Sequence, residues 1–192
     1  MSRTTLTALF TSYDQASHAV RSLEEAGISS DDISIVANDA GHTASSAGTG
    51  ASIGAIGGGA VGLLTGLGLM AIPGVGPVVA AGWLAATVAG AAAGGALGAA
   101  AGGLAGALSD AGVEEEEAQL YSEGVRRGGA LVVVKGDDAS LPSIRTILER
   151  HHLLDTRALR TDYENEGWQN FDPSAEPWTP ERIRIERERN FL

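Results

Sequence analysis

A chain of 192 residues and 19.5 kDa has room for one domain of ordinary size, with or without an appendage, and excludes a large multidomain enzyme. Thirteen basic residues, with Lys135 the only lysine, stand against 24 acidic ones, and the net charge of −11 repels phosphate backbones, so no nucleic-acid partner is expected. The absence of cysteine removes disulfides, thiolate catalysis, zinc–thiolate sites and iron–sulfur clusters together.

Met1 to Thr5 carries no apolar signal core, which predicts that the soluble parts are cytoplasmic. Thr5 to Phe10 reads as a strand. Ser12 and Gln15 have capping-box spacing, and Ala16, Val20, Leu23 and Ala26 recur at helical intervals before Gly27. Ile33 to Ala37 is a second strand after a Ser-Ser-Asp-Asp turn. Residues 1–39 thus form a β-α-β unit, the first half of a sandwich.

From Ala40 to Ser109 there is no Asp, Glu, Lys or Arg. Within this neutral insert, residues 40–110, Gly50, Gly54, Gly58, Gly62 and Gly66 recur every fourth residue, and Gly90, Gly94, Gly98, Gly102 and Gly106 repeat the pattern. On a helix such a spacing draws a stripe free of side chains, suited to backbone-to-backbone packing and oligomerisation. Pro73, Gly74, Gly76 and Pro77 mark a tight reversal between the arrays, which predicts a Gly/Ala-rich antiparallel helical hairpin.

Ten helical glycines would cost about 8 to 10 kcal/mol in water relative to alanine, whereas hydrocarbon enforces helix and rewards small-residue faces. Ala51 to Ile72 would make about 33 Å of helix against a hydrocarbon core of about 30 Å, with Trp83 as an interfacial anchor just past the turn. The expectation is insertion into, or association with, the inner membrane, both soluble parts lying on the cytoplasmic side. The alternative is a cytoplasmic protein whose hairpins pack together as the assembly core of an oligomer. Homo-oligomers follow from either reading.

Residues 111–163 supply a helix and the second half of the sandwich. Glu114 to Glu117 suit a helix N-terminus and Arg126-Arg127 its C-terminus, with Gly128-Gly129 ending it. Ala130 to Val134 is a buried-type strand. Ser140 and Pro142 open a helix carrying Ile144, Ile147, Leu148 and His151, and a last strand is expected over Ala158 to Tyr163. The sum is α+β: a ferredoxin-like βαβ-βαβ sandwich of four strands and two helices, interrupted by the hairpin. Residues 164–192 form a separate tail in which Trp168, Phe171, Trp178 and Phe191 alternate with prolines and predict docking; Thr179-Pro180-Glu181 starts a short charged helix.

No catalytic, cofactor or metal site is expected, and the protein is read as not an enzyme. Gly57 to Gly62 satisfies G-x-G-x-x-G formally but lacks a preceding strand and an acidic ribose partner. His151 and His152 are adjacent on a helix and point about 100 degrees apart, too divergent for one metal ion. Glu114 to Glu117 is explained by the helix dipole.

Thr7 to Phe10, Asp14 to Ala16, Leu23 to Gly27 and Asp31 to Val36 together resemble the opening of the bacterial general stress protein (heat-induced stress protein) domain. The Pro73–Pro77 reversal and the strand from Ala130 to Val134 are similar to features of that family, and the resemblance runs over about residues 5–160. It implies a non-enzymatic, stress-associated protein and brings no catalytic residues. Beside the membrane-associated assembly stands a second expectation, a soluble scaffold or small-effector-sensing module whose ligand the sequence leaves unknown.

Overall fold

A computed structural model of the chain describes residues 3–38, 68–93 and 103–190. In chain order these form β1 (Arg3–Phe10), α1 (Tyr13–Glu25), a 3-10 turn (Ser30–Asp32), β2 (Ile33–Asn38), β3 (Gly68–Ile72), β4 (Gly76–Gly82), α2 (Trp83–Ala93) and α3 (Gly103–Asp110). There follow α4 (Glu115–Arg126), β5 (Ala130–Asp137), α5 (Leu141–Glu149), α6 (Thr156–Asn165) and α7 (Pro180–Asn190).

The five strands make one sheet in the order β1-β5-β2-β4-β3, each neighbouring pair antiparallel. Since β5 enters between β1 and β2, those two strands run parallel and α1 connects them as a split β-α-β unit. The first strand, first helix and second strand fall where the sequence predicts them. Ser12 caps α1 by accepting from the Gln15 N–H at 3.4 Å. Helix α4 also has the expected ends, with Glu115, Glu116 and Glu117 in its first turn and Arg126 in its last.

Two expectations are corrected. Ala158 to Tyr163 is part of helix α6 rather than a fourth strand. Asp155 Oδ1 caps its first turn, accepting from the N–H groups of Arg157 at 2.8 Å and Ala158 at 3.3 Å. Leu159 and Tyr163, its buried residues, are four positions apart, a helical spacing. The sheet grows on its other side instead, through the hairpin of β3 and β4.

That hairpin is the second correction, because the arms beside the Pro73–Pro77 reversal are strands and not helices. The reversal itself is a Pro-Gly turn of type II pattern: Gly74 has φ +74, and the Val75 N–H donates to the Ile72 carbonyl at 3.1 Å. From Gly76 to Ala80 burial alternates, with Gly76, Val78 and Ala80 inside, which is a strand period. The second arm turns helical only at Trp83. Of the ten stripe glycines, Gly90 lies in α2 and Gly106 in α3, while Gly50, Gly54, Gly58, Gly62, Gly66, Gly94, Gly98 and Gly102 fall outside the described residues. Among the described residues no helix is long and apolar enough to cross a membrane.

Side chains of β5 divide the core. Ala130, Val132 and Val134 face α1 and α5 with Phe10, Val20, Leu23, Ile33, Ile35, Ile144 and Leu148. Leu131 and Val133 face the opposite layer, where α2, α3, α4 and α6 contribute Leu84, Val88, Leu104, Leu108, Leu120, Tyr121, Val125 and Leu159. Both sheet faces are therefore covered, which explains the unbroken apolar run in β5.

Helix α2 starts where β4 ends because two groups on β2 meet it. Ser34 Oγ accepts the Leu84 N–H at 3.0 Å and satisfies a donor of the first helical turn. Gly82, at φ +90, lets the backbone approach: a Cβ there would stand 2.3 Å from the Ile33 carbonyl oxygen.

Candidate functional site

Arg127, just beyond the last residue of α4, is 6 % exposed and binds three carboxylates that the chain brings from different elements. Its Nε donates to Glu123 Oε1 at 2.7 Å, and its Nη1 to Glu166 Oε2 at 2.5 Å and Glu186 Oε1 at 3.4 Å. Burial alone would disfavour its charge, but the hydrogen bonds to Glu123 and Glu166 more than offset this and hold the guanidinium above its ordinary pKa. The ring of Tyr163 lies 3.7 Å and that of Trp178 4.9 Å from the guanidinium carbon.

Around this centre the other charges pair off. Arg126 meets Glu123 at 2.8 Å, and Arg189 meets both Glu166 and Glu186. Three arginines thus face three carboxylates, one of which, Glu123, is fully buried. Such a network adds little net stability over an apolar core, but each missing partner leaves a buried charge, so it fixes the geometry of docking.

The aromatic tail docks on the chain itself. Phe171 reaches the core cluster beside the β3–β4 hairpin and lies 5.7 Å from the Arg126 guanidinium. Trp168 packs edge-on to Tyr163 with ring centroids 6.0 Å apart. Trp178 is buried with Ile183 of α7, while Phe191 lies outside the described residues. The hairpin turn is the seat of this strap. A Cβ on Gly74 would stand 2.7 Å from Pro173 Cα, and one on Gly76 2.9 Å from Pro177 Cβ. At the far end, a Cβ on Gly128 would meet Ile183 Cγ2 at 2.4 Å, and Arg187 donates twice to the Gly128 carbonyl, at 3.0 and 2.7 Å. Asn38 joins the two seats by donating to the Val75 and Arg126 carbonyls at 3.4 Å each.

Between the loop at 167–173 and the first turn of α7 lies an open cleft of about 540 Å³ lined by Arg126, Arg127, Trp168, Gln169, Trp178 and Arg182, among others. The sequence singles out the tail aromatics and the turn residues that meet here, but not the arginine–carboxylate hub. Its one local signal was Glu123, a charge between Leu120 and Val125 and four residues before Arg127.

The other polar positions stay apart from this cleft. Trp83, expected at a membrane interface, carries Lys135 on its ring at 3.4 Å from the centroid. Glu114 to Glu117 are exposed at the start of α4, and the described residues contain no group of metal-ligating side chains. His151 Nε2 stands 3.0 Å from Ser22 Oγ in a second cleft between α1 and α5, its pKa held below the ordinary value by burial and by His18 and His152.

The architecture defines an α+β protein whose C-terminal strap closes over the hairpin grown onto its own sheet. Residues 5–71 match the family model for the heat induced stress protein YflT domain, a span that opens in β1 and ends within β3. The resemblance to the general stress protein domain is borne out over that segment, and the match supports a stress-associated role. No curated protein and no solved structure matches the chain.

Proposed function

We propose that this chain is a non-enzymatic, stress-associated scaffold that senses a small effector and assembles with copies of itself, and that the described part of its neutral insert, residues 68–93 and 103–110, builds the α+β core instead of anchoring it in a bilayer. The observation that carries this reading is the burial of Leu84, Ala85 and Val88 of α2, and of Leu104, Ala107 and Leu108 of α3, against the sheet. Side chains already packed on Val36, Leu131 and Val133 have no surface left to offer lipid. The stress-associated part rests on the match over residues 5–71.

Fractionation of cells expressing the intact chain, followed by light scattering without detergent, tests the proposal. The expected result is recovery in a carbonate wash as a discrete oligomer whose size changes when Gly58 and Gly98 are replaced by leucine. A carbonate-resistant membrane pellet that yields only to detergent would overturn it in favour of a lipid-anchored assembly.

A further inference from the structure

We infer that the cleft between the 167–173 loop and α7 binds a small oxyanion, a carboxylate or phosphate group, through Arg182. The inference rests on the effector-sensing reading above and names its site and ligand class.

Three arginines, Arg126, Arg127 and Arg182, line this cleft against two carboxylates, Glu166 and Asp172. Of the carboxylates in its wall, Glu166 is engaged by Arg189 at Oε1 and by Arg127 at Oε2. Asp172 Oδ1 accepts from Ser174 twice, at 2.8 Å from N and 2.6 Å from Oγ. Against them stands Arg182, exposed and, among the described residues, in no ion pair. Arg126 and Trp168 stand in the same wall, their Nε and Nε1 atoms buried and without an acceptor among the described residues. An arginine fork open to a cleft is complementary to a ligand that carries only acceptors.

Arg182 is also held in place. Its guanidinium lies over the Trp178 ring, 3.7 Å from the centroid, and its backbone N–H donates to Thr179 Oγ1 at 3.3 Å, which sets its position in the first turn of α7. Contact with the ring restrains the guanidinium, whose N–H groups meet no carboxylate among the described residues and can donate to two coplanar oxygens. Trp178 is buried and Arg182 already lies over its ring, so the indole offers no open face to a flat base. That points to a compact oxyanion and away from a nucleotide. A net charge of −11 does not steer anions inward, so recognition depends on contact with these donors.

The test uses the full chain, titrated with inorganic phosphate and separately with succinate, chloride holding the ionic strength constant. Indole N–H signals of Trp168 and Trp178 should shift saturably while that of Trp83 stays still. Arg182→Gln should weaken the response at least tenfold. Arg184→Gln, on the same helix but paired with Glu181 and Glu188, should leave it unchanged. Saturation by phosphate alone assigns a phosphate ligand, and saturation by succinate alone assigns a carboxylate. Shifts that merely follow chloride, or an Arg182→Gln response equal to that of the unaltered chain, would overturn the site. Light scattering on the same samples separates the two ideas: an oligomer without an anion response removes only the site, and an anion response in a monomer removes only the scaffold.

Discussion

Gly82 joins β4 to α2 in a space with no room for a methyl group. Its φ of +90 is unfavourable for any side chain, and the Ile33 carbonyl and Ser34 leave a Cβ nowhere to go. Gly112 has nearly the same φ, +91, with nothing within 4 Å. Comparison of the two isolates backbone strain from collision. Gly112→Ala is expected to cost about 1 to 2 kcal/mol, and Gly82→Ala about 3 kcal/mol or more, because the collision is with backbone and cannot be relieved by a rotamer. Urea midpoints of the two variants read this directly, and equal losses would contradict the proximity of β2.

Glu166 supplies a second test at the same scale. Burial pushes its pKa up, but the hydrogen bonds from Arg127 and Arg189 outweigh this and hold it below the ordinary value of 4.5. A folded pKa below the unfolded one gives stability that is complete above the unfolded value and is lost as pH falls through the folded one. The strap is therefore expected to stay docked above pH 4.5 and to loosen below it, before the sheet unfolds. Tryptophan fluorescence should change ahead of far-UV circular dichroism in an acid titration, and coincident transitions would show that the strap and core unfold together. The tail aromatics were legible in the sequence because apolar rings in a charged segment need a surface to cover. The hub was not, since beyond Glu123 the partners of Arg127 lie 39 and 59 positions away and no local pattern records them.

The legible part of the elements was whatever had a clear period and a cap. Helix α1 has both, and β5 is short and apolar between glycines, so each appears where expected. The hairpin failed that reading for a physical reason: Gly68, Gly74, Gly76 and Gly82 suppress side-chain periodicity just where β-branched Val78 and Val79 should have pointed to a strand. The turn was found, since Pro and Gly fix its backbone whatever the arms do. For α6, the pairing of Leu159 with Tyr163 was the overlooked signal.

A membrane arm and a core helix respond differently to truncation of the same residue. Leu84 is fully buried against the sheet, so Leu84→Ala should lower stability in detergent-free buffer by about 2 to 5 kcal/mol. Urea unfolding followed by circular dichroism checks this. An unchanged midpoint would mean that α2 does not belong to the folded core.

Across the whole molecule, the insert is used in two ways. Its second half, through β3, β4, α2 and α3, extends the sheet and closes one face, and the C-terminal strap clamps the turn that joins the two new strands. Removing residues 51–66 leaves every described element in the chain. Asn38 pairs with Val78, and Val78 with Met70, so the ends to be joined lie about 10 Å apart laterally, within reach of the remaining residues. The shortened chain is expected to keep its circular dichroism spectrum and urea midpoint but to lose its assembly in light scattering. Loss of the fold would show that these residues belong to the core, and retained assembly would place self-association elsewhere.

An insert that builds the core requires β4 and α2 to be core elements in water. Native-state hydrogen exchange of the intact chain, prepared without detergent or lipid, tests that most directly. The amides of Val78 to Ala81 and of Leu84 and Val88 are expected to be protected to the same degree as those of Leu131 to Val133. Free exchange in β4 and α2, with protection gained only on adding lipid vesicles, would contradict it.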